Sequence, residues 1–156
     1  MRIHYPPAYT YLWSDNGAWY LKEMYNAKRL AEEFTDSRAK FYRIEDGQQH
    51  YGYCKTISGK PPARYGQYAN YCYLQRLYLN TNIQGKGIGG WVMNQLLDQA
   101  IANGHDAMWL ETMEIGKARK FYERLGFSVI DKVRLPFPGM IEELRGLEVM
   151  EKSLLA

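Results

Sequence analysis

The stretch Gln84-Gly85-Lys86-Gly87-Ile88-Gly89-Gly90 constrains this chain most. It follows the apolar run Tyr73–Leu79 and leads into a segment with helical apolar spacing. The pattern predicts a strand that ends in glycines and opens a helix. Such a helix start carries unpaired backbone N–H groups and the positive end of the helix dipole, which together suit a diphosphate. The glycines therefore point to a phosphate-bearing cofactor.

A chain of 156 residues can bury a sizeable core and reads as one domain over residues 1–156, with an atypical Pro-, Tyr- and Trp-rich stretch over residues 1–19. A net charge of +3 favours anionic ligands, yet no Lys/Arg stripe marks a nucleic-acid binder, so no nucleic-acid partner is expected. No apolar run approaches membrane-spanning length and the first residues lack a signal-type apolar core, so no membrane partner is expected either. Cys54 and Cys72 are too few for a metal site or a disulfide framework. They are expected as reduced, buried thiols of a cytoplasmic protein, with no bound metal. The 14 tyrosines put polar tips on apolar bodies at clefts or interfaces, and a homodimer is expected.

Along the chain, Ser14-Asp15-Asn16-Gly17 reads as a turn. A helix is predicted from about Tyr20 to Phe34, with Ala27, Leu30, Ala31 and Phe34 on its core face. Ala39–Glu45 and Tyr51–Ile57 read as strands joined by an Asp46-Gly47 hairpin. Ser58 to Asn70 is a long loop of the kind that is more often functional than idle. The second half alternates: strand Tyr73–Leu79, then helix Gly87–Asn103 with Ile88, Trp91, Val92, Leu96 and Ala100 inward, stopped at Gly104. Strand Ala107–Met113 follows, then helix Lys117–Leu125 with Ala118, Phe121, Tyr122 and Leu125 inward, stopped at Gly126. Phe127–Val133 and Leu147–Ser153 complete the strands. This alternation implies an αβ layer with at least one parallel crossover.

Taken alone, the glycine loop admits two readings. Gly85, Gly87 and Gly90 satisfy G-x-G-x-x-G with Glu111 near the place of a ribose-binding acid, which suggests an NAD(P)-dependent oxidoreductase. Against this, the loop sits mid-chain, and only three strand-like segments follow it. A Walker phosphate loop fails because Lys86 is followed by Gly87 and not Ser or Thr.

The other reading uses more of the chain. Gln84-x-x-Gly87-x-Gly89 resembles the Gln/Arg-x-x-Gly-x-Gly/Ala signature of the GCN5-related N-acetyltransferase (GNAT) superfamily. Ala118-Arg119-Lys120-Phe121-Tyr122-Glu123-Arg124-Leu125-Gly126-Phe127 is similar to its second signature, a helix ending in Phe-Tyr-x-x-x-Gly-Phe, and Leu147–Lys152 resembles its last strand. The resemblance runs from about Ala39 to the C-terminus and includes small bacterial polyamine-type enzymes. It implies an α+β fold with a central mixed, mostly antiparallel sheet flanked by helices, and acetyl-CoA held in a splay between the central strands. The implied reaction is direct acetyl transfer from acetyl-CoA to a primary amine of a small molecule or peptide. A CoA-binding domain without turnover is a further alternative.

The resemblance also implies roles. The N–H groups of Gly85, Lys86, Gly87, Ile88, Gly89 and Gly90, after Gln84, would take the pyrophosphate, and glycines let the backbone approach it. The pantetheine arm would run beside Leu77, Tyr78 and Leu79, with Ala118 and Tyr122 completing the cofactor site. Tyr122 would protonate the leaving thiolate; thiol and tyrosine pKa values of about 8.5 and 10 make that transfer easy to tune. Gln75 stands where some relatives carry a carboxylate, so the base is expected to be Glu111 or a group acting through water. Two departures stand out. Ile115 (or Gly116) replaces an Asn common in the family, and the usual first strand is missing or replaced by Ile3–Tyr11.

Overall fold

The computed structural model describes residues 9–156; of the N-terminal segment singled out above, residues 3–8 lie outside the described residues. The described residues form α1 (Ala18–Met24), α2 (Ala27–Thr35), β1 (Ala39–Glu45), β2 (His50–Ser58), β3 (Tyr71–Leu79), α3 (Ile88–Ala102), β4 (Ala107–Met113), α4 (Ala118–Arg124), β5 (Ser128–Arg134) and β6 (Gly146–Ser153). The strands make a single sheet ordered β1-β2-β3-β4-β6-β5. Only β3 and β4 pair in parallel; every other neighbouring pair is antiparallel. The α+β, mixed and mostly antiparallel sheet matches the expected architecture.

One face of the sheet is covered by α3 and α4. Val92, Met93, Leu96, Leu97 and Ala100 of α3 are buried against Cys54, Leu74, Met108, Leu110 and Met150. Burying each large side chain of this kind stabilises the fold by about 1.5–3 kcal/mol. Trp91, expected inward, is 62% exposed. The buried stripe is centred on Met93 and Leu97, which turns Trp91 to the solvent side. Gly104 and Gly126 adopt the left-handed conformation expected at the two helix ends, with φ of +74° and +87°.

The opposite face departs more from expectation. The single helix predicted over Tyr20–Phe34 is two helices, because Asn26 is extended and its side chain caps α2 by accepting the Arg29 N–H at 2.9 Å. Ala27, Ala31 and Phe34 are exposed rather than inward. Phe34 instead lies on the Phe41 ring, 4.4 Å between centroids. What ties α2 to the sheet is Glu33. It accepts from Lys55 Nζ at 2.8 Å and from both terminal nitrogens of Arg76 at 2.6 and 2.8 Å. Lys55 is only 2% exposed, and its ammonium sits below the ordinary lysine range because burial outweighs the help from Glu33.

The long loop after β2 is pinned to this second face. Trp109 Nε1 donates to the Lys60 carbonyl at 2.7 Å. Arg64 pairs with Asp131. The Tyr71 hydroxyl accepts the Gln67 N–H and donates to Glu151 Oε2 at 2.7 Å. Farther along, Trp13, Trp19, Tyr20 and Phe137 form a ring cluster with centroids 5.0–6.3 Å apart. A bridge between Trp13 and Met140 holds it closed. Both cysteines are free and buried, and burial pushes their thiols up to about 12 (Cys54) and about 11 (Cys72).

Candidate active site

The site begins where the central strands part. Parallel pairing of β3 with β4 runs from Tyr71 opposite Ala107 to Leu74 opposite Leu110 and then stops. Beyond that point β3 stays paired to β2 alone, and β4 to β6 alone. A bulge marks the parting: Thr56 lies opposite Leu74 and Lys55 opposite Arg76, leaving Gln75 as the extra residue. The facing edges of Gln75–Leu79 and Glu111–Met113 therefore offer backbone donors and acceptors with no sheet partner among the described residues.

The glycine loop lies between β3 and α3. Gly85 and Gly87 have φ of +79° and +80°, which a residue with a Cβ adopts only under strain. A Cβ added at either would meet nothing within 4 Å, so the space beside the loop is open. The first α3 bond runs from the Trp91 N–H to the Gly87 carbonyl. The N–H groups of Ile88, Gly89 and Gly90 precede it and have no backbone acceptor among the described residues, which suits an anion. Gly89 has a different job. A Cβ there would come 3.4 Å from both Leu79 and Phe121 side chains, so its absence lets α3 sit close to β3 and α4. Gln84 and Lys86 are exposed, and among the described residues Lys86 makes no ion pair. The cradle fits a diphosphate.

Tyr122 is half-buried on α4 beside Phe121 and Phe127, with ring centroids 5.1 and 5.8 Å away. Burial, with a smaller contribution from the Tyr9 hydroxyl, holds its own hydroxyl well above the ordinary tyrosine range and hence protonated. Ala118, expected inward, is exposed. Leu77 and Leu79 pack toward the α3–α4 core. The Tyr78 hydroxyl accepts from Tyr25 at 3.4 Å on the other side.

Glu111 lies on the face opposite Tyr122, beside Tyr73 and Trp109. The Tyr73 hydroxyl donates to Glu111 Oε2 at 2.7 Å. The Tyr73 ring stacks on Trp109 at 3.9 Å, and Lys60 Nζ lies 4.6 Å from its centroid. The structure thus sets the two sequence-predicted catalytic residues on opposite faces of the sheet. Tyr73, Lys60 and the Glu33–Lys55–Arg76 group escape sequence reasoning, because they meet only through strand register and loop return. The one accessible signal was the alternation along β3, which puts Tyr71 and Tyr73 on one face. His105 likewise gains partners the sequence did not suggest: Ser58 Oγ at 2.8 Å and the Ala100 carbonyl at 3.1 Å.

A sheet with one parallel pair of four residues does not supply the parallel halves of a dinucleotide domain. Comparison with solved structures leads elsewhere. The PaiA N-acetyltransferase of Thermoplasma acidophilum, solved with coenzyme A, is 21% identical, with a TM-score of 0.70 over 97% of this chain and 87% of that one. An acetyltransferase of Bacillus subtilis, solved with CoA, is 16% identical, with a TM-score of 0.62 over 83% and 85%. A variant of the spermidine N-acetyltransferase of Vibrio cholerae is 18% identical, with a TM-score of 0.63 over 81% and 71%. These likenesses are of fold. The model of the acetyltransferase (GNAT) family matches residues 2–127, and with it the chain belongs to the GNAT family of acetyltransferases.

Proposed function

We propose that the splay between β3 and β4 is the site of acyl transfer and that the acceptor is a primary amine of a small molecule or peptide. The observation that carries this reading is the unpaired edge of Gln75–Leu79 ending in an open glycine cradle at the start of α3. When bound, acetyl-CoA supplies the thioester carbonyl and the leaving sulfur. The backbone of Gly85 to Gly90 holds its diphosphate, with Gln84 and Lys86 at the edge. Leu77, Tyr78 and Leu79 pair with its arm through backbone groups, and one of their N–H groups polarises the carbonyl. Ala118 borders the same site. The Tyr122 hydroxyl, kept protonated by burial, gives its proton to the departing sulfur. Glu111 takes the proton that the amine loses. A polyamine is one candidate acceptor, since the spermidine enzyme of Vibrio cholerae shares the fold.

The whole chain acts as one domain in this reading, in the cytoplasm. A homodimer is its expected state, with exposed Trp91 and Ile101 of α3 as the apolar surface it would cover. Light scattering should give twice 18.3 kDa; a monomer mass at micromolar concentration would remove that part. The activity is tested by following CoA release from acetyl-CoA with a panel of polyamines, peptides and aminoglycosides. Thermal shifts with acetyl-CoA against NAD(P)H test the cofactor. A larger shift with the dinucleotide would overturn the reading.

A further inference from the structure

Gln75 occupies an unusual position. It is the unpaired residue of the β3 bulge, and it directly follows Leu74, the last residue that pairs with β4. Its Oε1 is buried and, among the described residues, has no hydrogen-bond partner. Buried carbonyl oxygens are nearly always satisfied, and leaving one unmade costs about 1–3 kcal/mol, so an orphan calls for a cause.

Its surroundings explain why no side chain among the described residues serves it. Gln75 lines a cavity of about 650 Å³ between α1–α2 and the sheet, together with Glu23, Arg29, Glu32, Glu33 and Lys55. The deeply buried donor there, Lys55 Nζ, is committed to Glu33, and so is the neighbouring Arg76 guanidinium. Lys28 and Arg29, the other cationic donors of the lining, are exposed on α2, the Asn26 amide donates to the Lys22 and Glu23 carbonyls, and a carboxylate such as Glu23 or Glu32 only accepts. The cavity lies on the face away from α3 and α4, the face to which Glu111 also belongs.

We propose that Gln75 Oε1 receives the N–H of the acceptor amine, holding the nitrogen at the mouth of the splay with its lone pair turned toward the thioester carbonyl. This rests on the acyl-transfer reading above. The neutral amide suits the task. A carboxylate in its place would favour the ammonium form, which has no lone pair for attack, whereas an amide carbonyl binds the neutral amine without holding it protonated. The role is that of a binding group and needs no proton transfer to Gln75.

Two cofactor analogues isolate this one hydrogen bond without knowledge of the acceptor. Carbamoylmethyl-CoA ends in –CO–NH₂, and S-acetonyl-CoA replaces that NH₂ by CH₃. Calorimetric titration of the wild-type chain should show the carbamoyl analogue binding about tenfold tighter. In Gln75→Leu that preference should vanish, while CoA binds both chains alike. The melting temperature should stay level or rise, since the substitution removes an unsatisfied oxygen. Gln75→Met provides the same comparison should the leucine variant not fold. Equal binding of the two analogues by the wild type, or a preference that survives in the variant, would overturn the assignment. Failure of CoA itself to bind the wild type would instead defeat the underlying acyl-transfer reading, and the Gln75 assignment with it.

Discussion

The hydroxyl of Tyr73 donates to Glu111 Oε2 at 2.7 Å, and stacking on Trp109 fixes the ring that carries it. The carboxylate is thereby held beside the point where β3 and β4 part. Glu111→Gln keeps the shape and removes the proposed base. General base catalysis contributes typically 10²–10⁴-fold, so kcat should fall by about that factor while acetyl-CoA affinity changes little. Unchanged kcat would pass the base role to water. Tyr73→Phe should leave kcat closer to wild type, since it frees the carboxylate without removing it.

Tyr122→Phe keeps the ring among Phe121 and Phe127 and deletes the proton. The expected loss in kcat is again about 10²–10⁴-fold, with a nearly unchanged melting temperature. Burial holds this phenol protonated beyond the ordinary tyrosine range, so wild-type kcat should persist to pH of about 10. The variant should have no alkaline limb of that origin. A variant that melts early with normal kcat would leave Tyr122 as packing.

Gly87 sits at φ +80° with open space where a Cβ would stand. Acetyl-CoA at 100 times its dissociation constant should stabilise the wild type by about 2.7 kcal/mol in a denaturation experiment. Gly87→Val should lose most of that gain, because its side chain occupies the ligand's approach. The free variant should also be weaker by about 1–2 kcal/mol, from left-handed strain alone. Full retention of the ligand effect would place the diphosphate elsewhere.

Glu33 serves two buried cations at once, so its loss strands both. Glu33→Gln should cost about 3–5 kcal/mol in urea unfolding at pH 7. Burial raises the Glu33 pKa, but hydrogen bonds and charge from Arg76 and Lys55 outweigh it, and the net shift is downward. Its contribution is thus present above the unfolded carboxylate value of about 4.3 and is lost as pH falls through the lower folded value. The gap between wild type and variant should narrow in acid. A gap that is the same at pH 7 and pH 3 would show that the pair carries no such linkage.

Local pattern was enough for the second half of the chain. Strand length, glycine stops and helical spacing placed β3, α3, β4 and α4 within a few residues, although Trp91 and Ala118, inward by that spacing, face outward. It failed where long-range contacts decide. Nothing in the spacing of α2 reveals that Glu33, rather than Phe34, faces the sheet; that follows from Lys55 and Arg76 arriving on neighbouring strands. Asn26 is an N-cap signal that the continuous apolar repeat around it masks. The candidate site divides the same way. The glycine cradle is a local motif, whereas Tyr73 finds Glu111 only through the parallel register of β3 and β4.

Strand β6 follows every other strand in the sequence yet sits inside the sheet, between β4 and β5. During synthesis β5 must therefore leave the ribosome and wait, because the partner it pairs with has not been made. Until Gly146–Ser153 slots in, the outer edge of β4 is bare and Val129 and Val133 have no strand beside them. The half of the sheet around β4 cannot close vectorially, and the chain depends on a late, non-local insertion step to hide those edges from its neighbours on the polysome.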